Sequence, residues 1–170
     1  MEKFSSNKTC LYNSPLGKIR LTEKNCFLIK VDFVDNVLRS DVRFEDIKSP
    51  VSNIFRKVCM QLDDYFSGDL RVFDLSLKMH GTDFQRLAWS ELLRIPYGET
   101  RSYLQQAKAI NYPNAVRAIG NANSKNPIPI IIPCHRVIGA NGSLTGYAGG
   151  IDRKAQLLDL ENNFMDAQKN

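Results

Sequence analysis

The stretch from Ile128 to Val137 constrains this chain more than any other. The apolar run Ile128 to Ile132 ends in Pro133-Cys134-His135-Arg136-Val137, so a cysteine walled by proline sits beside one of only two histidines. Free cysteine is among the most buried residue types, and one reading makes Cys134 an inert residue of a buried strand. The other makes it a nucleophile. A thiol reacts as the thiolate, and an unperturbed pKa of about 8.5 leaves little of it at neutral pH unless a base or a positive charge assists. The residues beside Cys134 offer both.

The residues that follow extend the second reading. Gly139-Ala140-Asn141-Gly142-Ser143 has the composition of a hairpin turn, since Asn-Gly tolerates the positive φ of a type I′ turn. Gly146-Tyr147-Ala148-Gly149-Gly150 then places three glycines around one aromatic, as expected where backbone must approach a flat ligand closely. Nucleophile, base and a glycine-lined wall all fall between Cys134 and Gly150.

With 170 residues, 43% of them hydrophobic, the chain can bury a real core, in one large or two small domains. No apolar run approaches the roughly 20 residues that span a bilayer, and the N-terminus lacks a signal-peptide core. The expectation is a soluble, intracellular protein with no membrane partner. Cys10, Cys26, Cys59 and Cys134 show no CxxC spacing, which argues against a disulfide framework and against a sequence-evident zinc site. No metal and no cofactor are expected. The net charge is +5, and between Thr100 and Ile151 there is no Asp or Glu, while Arg101, Lys108, Arg117, Lys125 and Arg136 are present. A stretch of this kind points to a surface that faces a polyanion. The plain alternative is a chance gap in acidic residues.

Along the chain, Thr9 to Tyr12 and Lys18 to Glu23 read as strands around a turn at Asn13-Ser14-Pro15-Leu16-Gly17, and Cys26 to Val34 continues the β-rich pattern. A helix is expected from Ser49 as N-cap and Pro50 as first residue, with Ile54, Val58, Leu62 and Phe66 at helical spacing, stopping near Gly68. Phe73 to Leu77 would be one more strand. This N-terminal domain, residues 1–81, shows core-like patterning and no chemistry.

The second domain, residues 82–170, opens with Thr82 and Gln85 placed as a capping box. Phe84, Leu87, Ala88, Trp89, Leu92 and Leu93 give that helix its apolar face, with Trp89 a core residue rather than a base-stacking one. Two short helices follow, Ser102 to Ala109 and Pro113 to about Asn123, joined tightly at Ile110-Asn111-Tyr112 in the manner of a helix-turn-helix. The second is expected to expose the small residues Ala115, Ala118, Gly120, Asn121 and Ala122 around Arg117, allowing close approach. Ordinary tight helix packing with Arg117 solvated is the competing reading. The last helix runs from about Asp152 through Glu161, whose carboxylate shares a face with Leu157 and Leu158. Buried there it needs a partner, and His135 would suit, oriented as a catalytic histidine is by its carboxylate.

The runs Ile95-Pro96-Tyr97-Gly98-Glu99-Thr100-Arg101-Ser102-Tyr103, Arg117-Ala118-Ile119-Gly120, Asn126-Pro127, Pro133-Cys134-His135-Arg136-Val137 and Gly146-Tyr147-Ala148-Gly149-Gly150 together closely resemble the O6-alkylguanine-DNA alkyltransferase family. The resemblance covers about Phe84 to Glu161 without a gap, and loosely Ser14-Pro15-Leu16-Gly17-Lys18. It implies a mixed α/β (α+β) protein with a strand-rich, ribonuclease-H-like N-terminal domain and a mostly helical C-terminal domain holding a winged-helix-like helix-turn-helix. It implies a suicide repair protein that takes the alkyl group from O6 of guanine onto Cys134 after the base is flipped out of the duplex, at a few kcal/mol.

The same resemblance puts Asn126, Cys134, His135 and Glu161 in one hydrogen-bonded network, with a water between His135 and the thiol. Tyr103 would contact the DNA backbone and help protonate the leaving base. Arg117 would enter the base stack, and the helix of Ala115, Ala118, Gly120 and Asn121 would lie in the minor groove. For the base pocket it implies the carbonyls of Cys134 and Val137 on the guanine amine and the Ala148 N–H on O6, with Tyr147, Gly149, Pro129 and Lys154 nearby. Cys10, Cys26 and His80 do not align with the zinc ligands of some members, so no metal follows. The implied partner is double-stranded DNA bearing O6-alkylguanine, met by a monomer that can cooperate on DNA, in the cytoplasm or, in a eukaryote, the nucleus.

Two other classes remain open to the residues. A damage-binding module of the alkyltransferase-like kind would lack the acceptor cysteine, so Cys134 speaks against it. A cysteine hydrolase built on Cys134, His135 and Glu161 would need an oxyanion hole and would leave the basic helix-turn-helix without a purpose.

Overall fold

The computed structural model describes residues 6–34 and 52–166, which divide into a unit ending at Lys78 and a unit starting at Met79. In the first, β1 (Lys8–Ser14), β2 (Gly17–Lys24) and β3 (Phe27–Phe33) form an antiparallel meander in that order. Pro15-Leu16 makes the first turn, held where the Ser14 hydroxyl donates to the Gly17 carbonyl at 2.7 Å. The second turn is Asn25-Cys26, with φ of 52° and 63°. Both central residues are left-handed, as a type I′ turn requires. Cys26, expected to open the third strand, is therefore a turn residue.

Helix α1 (Asn53–Ser67) starts at Ser52, whose side chain accepts from the Phe55 N–H, and ends at Gly68 with φ 86°. Ser49 and Pro50, the expected start, lie outside the described residues. The inner face of the sheet, Ile19, Leu21, Leu28 and Val31, is buried, and so are Ile54, Phe55, Val58, Leu62 and Tyr65 of α1. Phe66 is only half-buried, because Tyr65 takes the inward position. Phe73 to Leu77 is not a strand: it makes a single parallel bridge, Leu77 to Leu28. The backbone of Asp74 is occupied by the Gln61 side chain, which accepts from its N–H at 2.9 Å and donates to its carbonyl at 3.1 Å.

The second unit contains α2 (Asp83–Leu92), β4 (Arg101–Ser102), α3 (Tyr103–Ala109), α4 (Val116–Ser124), a single 3-10 turn at Cys134–Arg136, β5 (Val137–Ile138) and α5 (Ile151–Asp166). Reciprocal capping boxes start α2 at Thr82 with Gln85 and α3 at Ser102 with Gln105. Ala88, Ala107, Ile110, Ile119 and Ala122 form the core that joins α2, α3 and α4. The Trp89 indole N–H donates to the Ala122 carbonyl at 2.8 Å inside that core. Gln106 and Asn123 exchange side-chain hydrogen bonds of 3.2 and 2.8 Å across α3 and α4.

Leu87 and Leu93 are exposed, since the buried stripe of α2 is Ala88, Trp89 and Leu92. Helix α4 begins at Val116 rather than Pro113, because the Ala115 N–H bonds back to the Tyr112 carbonyl and closes a turn over Pro113-Asn114. Ala122 is not on the exposed face but in the core. Gly139 to Ser143 does form a turn, closed by Gly142 N–H to Gly139 carbonyl at 2.9 Å. Only Gly142 has positive φ there, so the turn is not type I′. It is not a hairpin either, because β5 pairs in parallel with β4.

Candidate active site

The apolar run before Cys134 folds as a turn rather than a strand. The Ile132 N–H reaches the Ile128 carbonyl at 2.9 Å, and Ile130 sits at φ 74°, a conformation costly for a β-branched residue. The turn is pinned from inside by Asn126. Its Oδ1 accepts from the Ile128 N–H at 3.0 Å, and its Nδ2 donates to the Ile132 carbonyl at 2.7 Å and to Cys134 Sγ at 3.1 Å. The run thus delivers Cys134 into the 3-10 turn, 1% exposed.

The thiol is not activated in this state. Burial pushes Cys134 up to about 11, and the Asn126 hydrogen bond and the Lys154 charge offset that only in part. Arg136, the neighbouring cation expected to assist, is committed elsewhere. Its guanidinium donates to both oxygens of Glu161 at 2.8 to 3.2 Å and to the Ile95 carbonyl at 2.7 Å, and it lies 5.6 Å from the Tyr97 ring centroid. It therefore does not belong to the surface facing a polyanion.

Glu161 is buried and also accepts from the Gly98 amide at 3.0 Å and pairs with His135 Nε2 at 2.9 Å. Burial alone would raise its carboxyl, but the bonds and charges of His135 and Arg136 outweigh it and hold the group well below the usual carboxylate range. An ionised carboxylate can only accept, so His135 Nε2 carries the proton and Nδ1 keeps its lone pair. Nδ1 is buried and takes no hydrogen bond from the described residues. Burial also pulls the imidazole below its ordinary value, against Glu161, which pulls the other way. The ring is a neutral base with its free nitrogen inside the protein.

A second cluster lies on the side of α5 toward α3. The Lys154 ammonium is buried and donates to the Val137 carbonyl at 2.6 Å, to the Thr145 carbonyl at 2.7 Å and to the Tyr103 hydroxyl at 3.5 Å. Burial lowers it to about 8. The Tyr103 hydroxyl itself donates to the Thr145 carbonyl at 2.8 Å, and burial raises its pKa. A Cβ at Gly146, which has φ 64°, would stand 3.2 Å from that hydroxyl, so this glycine is needed twice over. The Val137 carbonyl, expected on a guanine amine, already accepts from Lys154.

Of the other expected residues, Tyr147, Gly149 and Pro129 are buried and Ala148 is exposed. Tyr147 meets the His135 ring edge-on at 6.5 Å between centroids, and burial raises its hydroxyl pKa well above the ordinary value. Arg117, Ala118 and Asn121 lie on the exposed face of α4, with Ala115 and Gly120 half-exposed. Gly120 borders Tyr103, whose ring would be 3.9 Å from a Cβ there. Tyr103 thus borders both the α4 face and Lys154, whose charge acts on Cys134.

Sequence reasoning missed Arg136 and Gly98 as members of the carboxylate's shell. Gly98, at φ 74° and with Met165 Cγ 2.6 Å from a built Cβ, was legible only as a helix end. It also missed the exposed apolar side chains of α3, α4 and the turn between them, namely Leu104, Tyr112 and Val116. Among the described residues no group of three or more His, Cys, Asp or Glu could hold a metal ion, and no helix is long and apolar enough to cross a membrane.

Residues 83–163 match the family described as "6-O-methylguanine DNA methyltransferase, DNA binding domain", and residues 8–79 the one described as "6-O-methylguanine DNA methyltransferase, ribonuclease-like domain". The chain is 48% identical over 153 residues to a methylated-DNA--protein-cysteine methyltransferase of Methanosarcina barkeri, covering 90% of this chain and 96% of that one. A protein of the same name from Mycobacterium leprae is 46% identical over 152 residues, covering 89% and 90%. Among solved structures, Mycobacterium tuberculosis OGT in complex with DNA superposes with a TM-score of 0.79 at 45% identity, covering 91% of this chain and 92% of that one.

Proposed function

The chain belongs to the 6-O-methylguanine DNA methyltransferase family, and from that premise we propose that it is a single-turnover DNA repair protein that moves the alkyl group from O6 of an alkylated guanine in duplex DNA to its own Cys134. The observation that carries this reading is the buried chain Cys134, His135, Glu161: a thiol beside a neutral imidazole whose one proton is turned toward a carboxylate. His135 Nδ1 takes the thiol proton through a water, Cys134 Sγ attacks the alkyl carbon, and the carbon–oxygen bond breaks with its electrons going to the guanine. Tyr103 helps return a proton to the leaving base, and Lys154, bonded to the Tyr103 oxygen, supports the charge that forms there. Because burial holds Cys134 as a thiol at neutral pH, the proton leaves only when the base is in place.

The base is held by the carbonyls of Cys134 and Val137 and the N–H of Ala148, between Tyr147, Gly149 and Pro129, with Lys154 fixing the Val137 carbonyl. Arg117 fills the gap in the stack, and the small residues Ala115, Ala118, Gly120 and Asn121 let α4 sit in the minor groove. The protein works as a monomer, in the cytoplasm or wherever its cell keeps DNA, and residues 1–81 and 82–170 act as its ribonuclease-H-like and DNA-binding domains.

Incubation with a duplex containing O6-methylguanine, followed by intact mass and peptide mapping, tests this. One methyl per chain is expected, on Cys134 alone, and Cys134→Ala should take up none while still binding duplex. Repeated turnover, or methyl on Cys10, Cys26 or Cys59, would sink the reading.

A further inference from the structure

Two half-buried thiols of the N-terminal unit have no part in the reaction above: Cys10 on β1 and Cys59 on α1. How α1 lies along β1 is fixed by the Tyr12 hydroxyl, which donates to Asp63 Oδ1 at 2.7 Å. Two residues back along a strand is a step of about 6.6 Å that returns to the same face. Four residues back along a helix is a step of about 6 Å that also returns to the same face. The Ser52 hydroxyl at the start of α1 donates to Glu23 Oε2 at 2.6 Å, and Glu23 pairs with Lys8 at the start of β1, so helix and strand run in the same direction and the matched steps bring Cys10 level with Cys59. Cys10 shares the inner face of the sheet with Tyr12 and stands opposite the buried Leu21.

The side chains meet as this register requires, with a hydrogen bond between the two sulfur groups. That bond lowers the pKa of Cys59 against the pull of burial and of Asp63, and it raises that of Cys10. Of the two thiols, Cys59 is the one this contact inclines toward ionisation, and both have partial access to solvent. Cys134, by contrast, is sealed from solvent.

We propose that Cys10 and Cys59 are a redox-sensitive dithiol, which a low-molecular-weight disulfide such as glutathione disulfide converts to an intramolecular disulfide stapling β1 to α1 while Cys134 stays a thiol. The Cys59 thiolate attacks one sulfur of glutathione disulfide, forms a mixed disulfide and releases glutathione thiolate. Cys10 gives up its proton and attacks the Cys59 sulfur, and the second glutathione leaves. Two protein thiols are oxidised, one glutathione disulfide is reduced to two glutathiones, and the Cys10 proton ends on the departing thiolate.

The test uses the full chain carrying Cys26→Ser, which removes the exposed thiol of the β2–β3 turn. The reduced protein is treated with excess glutathione disulfide, quenched in acid, denatured, alkylated with N-ethylmaleimide and mapped without reduction. A Cys10–Cys59 linked peptide is expected with Cys134 fully alkylated, and dithiothreitol should restore all thiols. Adding Cys10→Ser should leave a stable glutathione adduct on Cys59, since its resolving partner is gone. A persistent glutathione adduct on Cys59 with Cys10 present, full alkylation of both thiols, or any disulfide to Cys134 would overturn the proposal.

Discussion

Glu161 accepts from His135, Arg136 and the Gly98 amide in a buried site, and the state of its proton sets that of the imidazole. Glu161→Gln is informative because Arg136 still needs an acceptor. The amide oxygen would turn to the guanidinium and the amide NH₂ to His135 Nε2, moving the ring proton onto Nδ1, where it blocks the base. Transfer to Cys134 should slow, and the pH profile of iodoacetamide labelling at Cys134 should move upward from a starting pKa near 11. An unchanged profile in both Glu161→Gln and His135→Ala would remove the relay. The same substitution leaves the Arg136 charge unmatched, a change that costs about 3–5 kcal/mol in buried pairs. Acid should expose both groups in the wild type. His135 is held below its ordinary pKa, so protonation favours the unfolded chain and stability starts to fall as the pH drops through about 6.5. Glu161 is held low too, so its contribution is complete above about pH 4.3 and is lost below that. Urea midpoints from pH 8 to 3 should show the wild type declining in both ranges and Glu161→Gln only in the upper one.

The pair α3 and α4 is held in register by amides rather than by apolar contact alone. Asn123 Nδ2 donates to Gln106 Oε1 at 2.8 Å, and Gln106 Nε2 donates to the Ala88 carbonyl of α2 at 3.0 Å. Asn123→Ala strands the Gln106 oxygen in the core, and about 1–3 kcal/mol of stability should be lost, read as a lower urea midpoint. Duplex affinity should fall with it, since the exposed face of α4 is aimed by this joint. Arg117→Ala touches no core contact, because the side chain is exposed. It should slow repair in duplex far more than transfer from the free base O6-benzylguanine, which needs no flipping. Equal losses on both substrates would take Arg117 out of the flipping role.

At the scale of the molecule, the placement of charge is expected to decide where DNA binds. The acid-free stretch Thr100 to Ile151 holds five cations, but Arg136 is neutralised by Glu161 inside the protein and Arg101 pairs with Glu99 at 2.7 Å, so the cations expected to meet phosphates are Lys108, Arg117, Lys125 and, once it lets go of Glu99, Arg101. Each phosphate contact contributes about 0.9 to the slope of log affinity against log salt, so a slope of roughly 3 to 4 is the most these four can give. Fluorescence anisotropy of a labelled duplex across a salt series measures it. A much steeper slope would mean that cations outside this stretch take part.

Much of this was legible in the chain itself. The period of apolar residues located α1 and α2, Thr82 with Gln85 marked a helix start, and the Pro133 to Val137 run pointed to the nucleophile, because these signals are local and each depends on residues a few positions apart. Sequence reasoning also paired Glu161 with His135, from one helical face and the requirement that a buried charge be matched. What it could not supply was the count of partners. Arg136 looked like one more surface cation, and only the fold shows that it lies beneath the surface against a carboxylate 25 positions away. The strand expected at Phe73 to Leu77 failed for the same reason, since the Gln61 side chain takes the backbone of Asp74. The turn at Ile128 to Ile132 depends on Asn126 competing for the hydrogen bonds a strand would have used. Local pattern marked the main helices, the first strands and the atoms that could react. Tertiary structure decided which donors and acceptors were already taken, because a buried polar group bonds to whatever packing brings within about 3 Å, wherever that lies in the sequence.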